Sequence, residues 1–174
     1  MSGPFMNLDN LDIVCYPDPV LRQDARPITE FTPELAALAQ RMIELMVQAN
    51  GVGLAAPQVG IDRRLFVASP TGKAADAHVY INPVLSDFQG AESQEEGCLS
   101  LPGITVKVNR PTACHIEAVD INGNPFSHKA AELLARILQH ENDHLNGVLI
   151  VDKMNTLDRL ASRRQLKYLE QEYQ

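Results

Sequence analysis

Gln139-His140-Glu141-Asn142-Asp143-His144 sets an H-E-x-x-H pattern at the end of an apolar run, and no other stretch restricts the fold as strongly. Helical spacing brings His140 and His144 onto one face, a turn apart, where two imidazoles can grip one metal ion. Glu141 then lies about 100° round from His140 and about 60° from His144, beside the ion, where a general base would stand. Leu133 and Ile137 share the histidine face, Leu134, Leu138 and Leu145 fill the neighbouring one, and Gly147 follows as a helix stop. A buried helix with satisfied core histidines fits the same pattern. A third ligand decides between the two.

Three cysteines, Cys15, Cys98 and Cys114, are an odd number without regular spacing, which fits a reducing compartment better than a disulfide framework. Cys98 is the best candidate ligand, since it follows Gly97 in a polar stretch while Cys15 and Cys114 sit in apolar, strand-like settings. Two imidazoles and a thiolate leave one position of a tetrahedral ion open, the pattern of a catalytic metal. A buried spectator thiol is the alternative for Cys98. Glu170 or Glu172 as third ligand would instead describe a zinc metallopeptidase, and a site that binds metal without turnover would describe a binding or ribosome-associated factor.

The 174 residues read as one domain, 1–174, with a loose leader over 1–12 and a terminal helix over 156–173. Ile13 to Tyr16 reads as a short strand before the Pro17-Asp18-Pro19 turn. Thr32 as N-cap and Pro33 in the first turn open a long helix with an apolar stripe through Leu35, Leu38, Met42, Leu45 and Ala49, ended by Asn50-Gly51. Gly51 to Gly60 reads as a close-packed loop whose Gln58 either aims an amide into a cleft or is simply exposed. Leu65–Ala68 is a strand; His78 to Pro83 is another, ended by its proline, with His78 in solvent. Ile104, Val106 and Val108 alternate with polar residues, as do Cys114, Ile116 and Ala118 ahead of the Asn122-Gly123 turn, so a strand and a hairpin are predicted, with His115 facing solvent. Val148 to Val151 reads as a short strand, and the terminal helix as carrying a weak stripe through Leu157, Leu160 and Leu169. The fold class is α+β: short antiparallel strands and hairpins around a central metal-binding helix, with an N-terminal long helix and a C-terminal helix.

Three stretches in order now converge. Gly51 to Gln58 matches G-x-G-x-A-A-x-Q, Glu96 to Ser100 matches E-G-C-x-S, and Gln139 to His144 matches Q-H-E-x-D-H, with Tyr16-Pro17-Asp18-Pro19 ahead of them. With these motifs the sequence resembles the peptide deformylase family, metal hydrolases that remove the formyl group from N-formylmethionine of nascent polypeptides and release formate. The resemblance implies that Cys98, His140 and His144 hold one divalent ion, ferrous iron in the family, with zinc, nickel or cobalt able to take the same ligands. It also implies that Glu141 does the acid and base work while the Gln58 amide and the Leu99 N–H hold the oxyanion. Leu133 and Ile137 either line a pocket for the methionine side chain or pack in the core. Val52 and Gly53 offer backbone groups to an extended peptide, a reading the resemblance supports. Glu96 and Arg110 form a candidate ion pair, buried or solvated.

No run reaches transmembrane length and the N-terminal residues lack a signal-peptide pattern, so a cytoplasmic protein is expected. A net charge of −7 argues against a surface that coats nucleic acid in general. Arg159, Arg163 and Lys167 nevertheless share one face of the terminal helix with Arg164 beside them, either a solvated face or a surface for docking on the ribosome.

Overall fold

The structure is a computed structural model that describes residues 8–173. Helix α1 (Pro33–Gln48) begins as its cap dictates: Thr32 Oγ1 accepts the Leu35 N–H at 3.3 Å and Pro33 sits where no N–H is required. Its inner face, including Leu38, Met42, Leu45 and Met46, packs against β1 (Gly53–Ala55) and β2 (Leu65–Ala68). Asn50, at φ 56°, ends the helical path.

Five antiparallel strands form the main sheet in the order β1-β2-β3-β6-β7, with β3 at His78–Gln89, β6 at Ala113–Val119 and β7 at Pro125–Ala131. A separate hairpin pairs β4 (Glu92–Gly97) with β5 (Thr105–Arg110). Helix α2 (Glu132–Leu145) lies on the main sheet, where Ala135, Ile137, Leu138 and Leu145 share a core with Phe66, Tyr80, Ile116 and Ala118. Gly147, at φ 67°, is off the right-handed helical path, and a side chain there would strike the Arg22 carbonyl. Helix α3 (Thr156–Glu172) closes a third core on β5 through Leu166 and Leu169, together with Leu101, Ile104, Leu149 and Ile150. The α+β class holds.

Several local expectations are corrected. Residues 13–16 form no strand: the Val14 and Tyr16 N–H groups donate to the Gln58 and Ser100 carbonyls, each at 2.8 Å, and so go to two separate segments instead of one ladder. Strand β3 does not stop at Pro83, because register shifts around Asn82 and Asp87, both at positive φ, place the proline where the ladder is already broken. Gly51 to Gly60 is not all loop but contains β1 and a 3-10 turn, Ala56–Val59. Residues 148–151 turn into a 3-10 segment, Ile150–Lys153, with the Asp152 carboxylate accepting the Leu149 N–H at 2.8 Å. Leu157 and Leu160 are exposed, since on a helix Leu169 lies about 120° from the first and about 180° from the second, so the three cannot share a buried stripe. His78 is exposed as expected, whereas His115 is half-buried. Of the leader, residues 1–7 lie outside the described residues, while Leu8–Asn10 is a 3-10 turn and Leu11 is buried in the α1 core.

Candidate active site

One turn of α2 presents His140 and His144 toward Cys98, which sits immediately after β4. The His144 Nε2 atom is 3.3 Å from both the Cys98 Sγ and the His140 Nε2, and the three donor atoms lie within 4.8 Å of one another. His144 is held as the neutral imidazole, its pKa pushed well down by burial and by neighbouring His140. Burial also acts against a charge on His140, but hydrogen bonds with Cys98 and Glu96 outweigh it and favour a cation there. A cluster that gathers one soft sulfur and two ring nitrogens, and favours positive charge in their midst, fits a single divalent ion. The donor spacing is near the edge of a tetrahedron with ligand bonds of about 2.0–2.3 Å.

Glu96 orders this cluster from behind. Its carboxylate accepts from Arg110 Nε at 2.6 Å and Nη2 at 2.9 Å, from Arg136 Nη1 at 2.7 Å, and faces His140 Nδ1 at 3.0 Å. The last contact turns Nε2 of His140 toward the site. Burial alone would raise the Glu96 pKa, yet its bonds to His140 and Arg110 hold it far below the usual carboxylate range. Arg110 continues to Asp143 at 2.9 Å, and Lys153 reaches the same carboxylate at 3.3 Å. The Glu96–Arg110 pair expected from sequence is therefore buried and bidentate. Arg136 and Asp143 were missed as its partners, since no spacing rule joins α2 to a hairpin 40 residues earlier.

Glu141 is 4% exposed, and its Oε2 has no hydrogen-bond partner. Burial pushes its pKa up to about 7, despite the opposing pull of His140 and Arg110. The carboxylate fits only because residue 53 is glycine: a Cβ there would overlap it. Gln58 is buried, not exposed. The Ala55 N–H donates to its Oε1 at 2.9 Å, which turns Nε2 toward Ser100 Oγ, 3.2 Å away, and Cys98 Sγ, 3.5 Å away. Leu99 follows on the Cys98 loop, its side chain packed where a Cβ on Gly51 would stand 2.8 Å from it.

A cleft of about 410 Å³ opens over these groups, lined by Val52, Gly53, Gln58, Cys98, Leu99, Leu133, Ile137, His140 and Glu141, with Gln94 and Glu95 of β4 at its side. All the sequence-predicted site residues except His144 line it, and His144 lies 1% exposed at its base. Val52 and Leu133 are half-open, at 37% and 48%, whereas Ile137 is 4% exposed and packs in the sheet core as well. Other candidates lie elsewhere: Glu170 accepts from the Tyr16 hydroxyl at 3.0 Å, Glu172 is exposed, and Cys114 is buried in the sheet. No helix among the described residues is long and apolar enough to cross a membrane.

A family model described as polypeptide deformylase matches residues 10–160. A peptide deformylase of Thermodesulfovibrio yellowstonii is 45% identical over 159 residues, covering 90% of this chain and 96% of that one. Among solved structures, a plant peptide deformylase superposes with a TM-score of 0.92 at 39% identity, over 99% of this chain and 94% of its own. One from Legionella pneumophila gives 0.87 at 40%, over 92% and 95%.

Proposed function

The chain belongs to the peptide deformylase family, metal-dependent hydrolases that remove the formyl group from N-formylmethionyl peptides, and we propose that Cys98, His140, His144, Glu141, Gln58 and Leu99 carry that reaction here. The observation that carries the assignment is the convergence of the Cys98 thiol and two imidazole Nε2 atoms beside the buried Glu141 carboxylate. Cys98 Sγ, His140 Nε2 and His144 Nε2 would hold a divalent ion, ferrous iron in this reading, which supplies Lewis acidity to water and to the formyl carbonyl.

Glu141 Oε2, buried and without a partner of its own, takes the proton from the attacking water. The formyl oxygen gains negative charge as its carbon becomes tetrahedral, and the Gln58 amide and Leu99 N–H donate to it from positions set before the charge develops. Glu141 then delivers its proton to the methionyl nitrogen as the C–N bond breaks, and formate and a free amino terminus leave. Ile137 and Leu133 form the apolar wall for the methionine side chain, while Val52 and Gly53 offer main-chain groups to the peptide beyond it.

Such a substrate arises where nascent chains emerge, so the protein works in the cytoplasm. The outer face of α3 exposes Leu157 and Leu160 next to Arg159, Arg163, Arg164 and Lys167, chemistry that suits docking on ribosomal RNA phosphates. The test is formate release from formyl-Met-Ala-Ser by protein loaded anaerobically with iron or nickel. Release of formate without cleavage of the unformylated peptide is expected, and a fully metallated sample that releases none contradicts the reading.

A further inference from the structure

We infer that Ser100 is a positioning residue for the reaction, acting through the Gln58 amide. The inference rests on the oxyanion reading of Gln58 given above. An unrestrained glutamine amide can turn about its last torsion and present either oxygen or nitrogen to the cleft. Here two of its corners are held. The Ala55 N–H can only donate, so its 2.9 Å bond fixes which atom is Oε1, and Ser100 Oγ accepts one Nε2 hydrogen at 3.2 Å. The second Nε2 hydrogen points along the Cys98 side, 3.5 Å from Sγ, which is where a formyl oxygen beside the ligand cluster has to be met. Ser100 is wholly buried and Gln58 is 1% exposed, so no solvent replaces the hydroxyl as acceptor.

The frame behind this pair is also tied. The Ser100 carbonyl accepts the Tyr16 N–H and the Gln58 carbonyl accepts the Val14 N–H, both at 2.8 Å, so one short segment spans the two loops and keeps hydroxyl and amide in register. Removing the hydroxyl therefore leaves the backbone in place and loosens only the amide. This differs from losing the amide itself, and the difference can be measured.

The experiment compares Ser100→Ala, Ser100→Thr, Gln58→Ala and the Ser100→Ala/Gln58→Ala double variant as nickel-loaded full-length protein on formyl-Met-Ala-Ser, with metal content measured for each. Expected results are a kcat about ten-fold lower for Ser100→Ala, with KM within about two-fold and metal content unchanged. Ser100→Thr keeps an acceptor and recovers most of the rate. Gln58→Ala loses about 100-fold or more, and adding Ser100→Ala to it changes nothing further. Parental kcat in Ser100→Ala beside an impaired Gln58→Ala overturns the role of Ser100 alone, as does an undiminished ten-fold loss in the Gln58→Ala background. Parental kcat in Gln58→Ala instead removes the oxyanion reading, and Ser100's role with it. Should Ser100→Ala fail to fold, Ser100→Cys keeps the volume, offers only a weak acceptor, and is read in the same way.

Discussion

At Gly53 the main chain passes so close to the Glu141 carboxylate that any side chain would displace it. Gly53→Ala is expected to keep the metal and lose about 100-fold in kcat, because the carboxylate proposed as the base is moved and not removed; metal analysis beside steady-state kinetics checks this. Cys98→Ala is expected to abolish stoichiometric metal binding, since it deletes one of three donors that face each other within 4.8 Å; full metal content in that variant would contradict the ligand set. The pH dependence follows from Glu141. Burial raises its pKa to about 7, and a base must be ionised to act, so kcat/KM falls as pH drops through that pKa. A bound cation lowers the value, which puts the acid limb below about 7. A rate that stays flat from about pH 7 down to about pH 4 would remove Glu141 as the base.

Between the β4–β5 hairpin and α2, Glu96 is the tie. Two buried arginines end on it, so Glu96→Ala strips Arg136 of its carboxylate partner, leaves Arg110 with Asp143 alone, and is expected to cost about 3–5 kcal/mol in thermal or denaturant unfolding. Its folded pKa is held below the unfolded value of about 4.3, so its stabilising effect is complete above that pH and is lost as pH falls toward the folded pKa. The stability gap between parent and Glu96→Gln should accordingly narrow below about pH 4, and a gap independent of pH contradicts the tie. Elements with strong local signals were legible in the sequence: α1 from Thr32-Pro33, α2 from its histidines and leucines, β5 and β6 from alternation. Strand β4 was not, because Glu92, Ser93, Gln94 and Glu95 are all exposed and only Glu96 turns inward, to arginines instead of an apolar core. Likewise β3 outran its proline through bulges that no local pattern announces.

On the scale of the whole molecule, the site was readable as three motifs, but not the long-range contacts that join them. The Val14 and Tyr16 amides bridge the Gln58 and Ser100 loops, and α3 reaches back to that segment through the Tyr16–Glu170 hydrogen bond and to the loop after Ser100 through Gln165 and the Pro102 carbonyl. Truncation after Asn155 uncovers the core that Leu169 closes and should lower stability by about 2–3 kcal/mol. The charges of Arg163, Arg164 and Lys167 are separable from this, since all three are exposed, whereas Arg159 also donates to the Val151 carbonyl at 3.3 Å. Reversing these three to Glu should leave deformylation unchanged and reduce co-sedimentation with ribosomes; unaltered co-sedimentation rules out docking through this face.

The most direct test of the account is formate release by Glu141→Gln protein carrying a full complement of metal. A loss of about 10²- to 10⁴-fold with the ion retained is predicted, because the amide preserves the shape of the site and removes its proton acceptor. Turnover near the parental rate would contradict the assignment of Glu141, and with it the chemistry derived for this cleft.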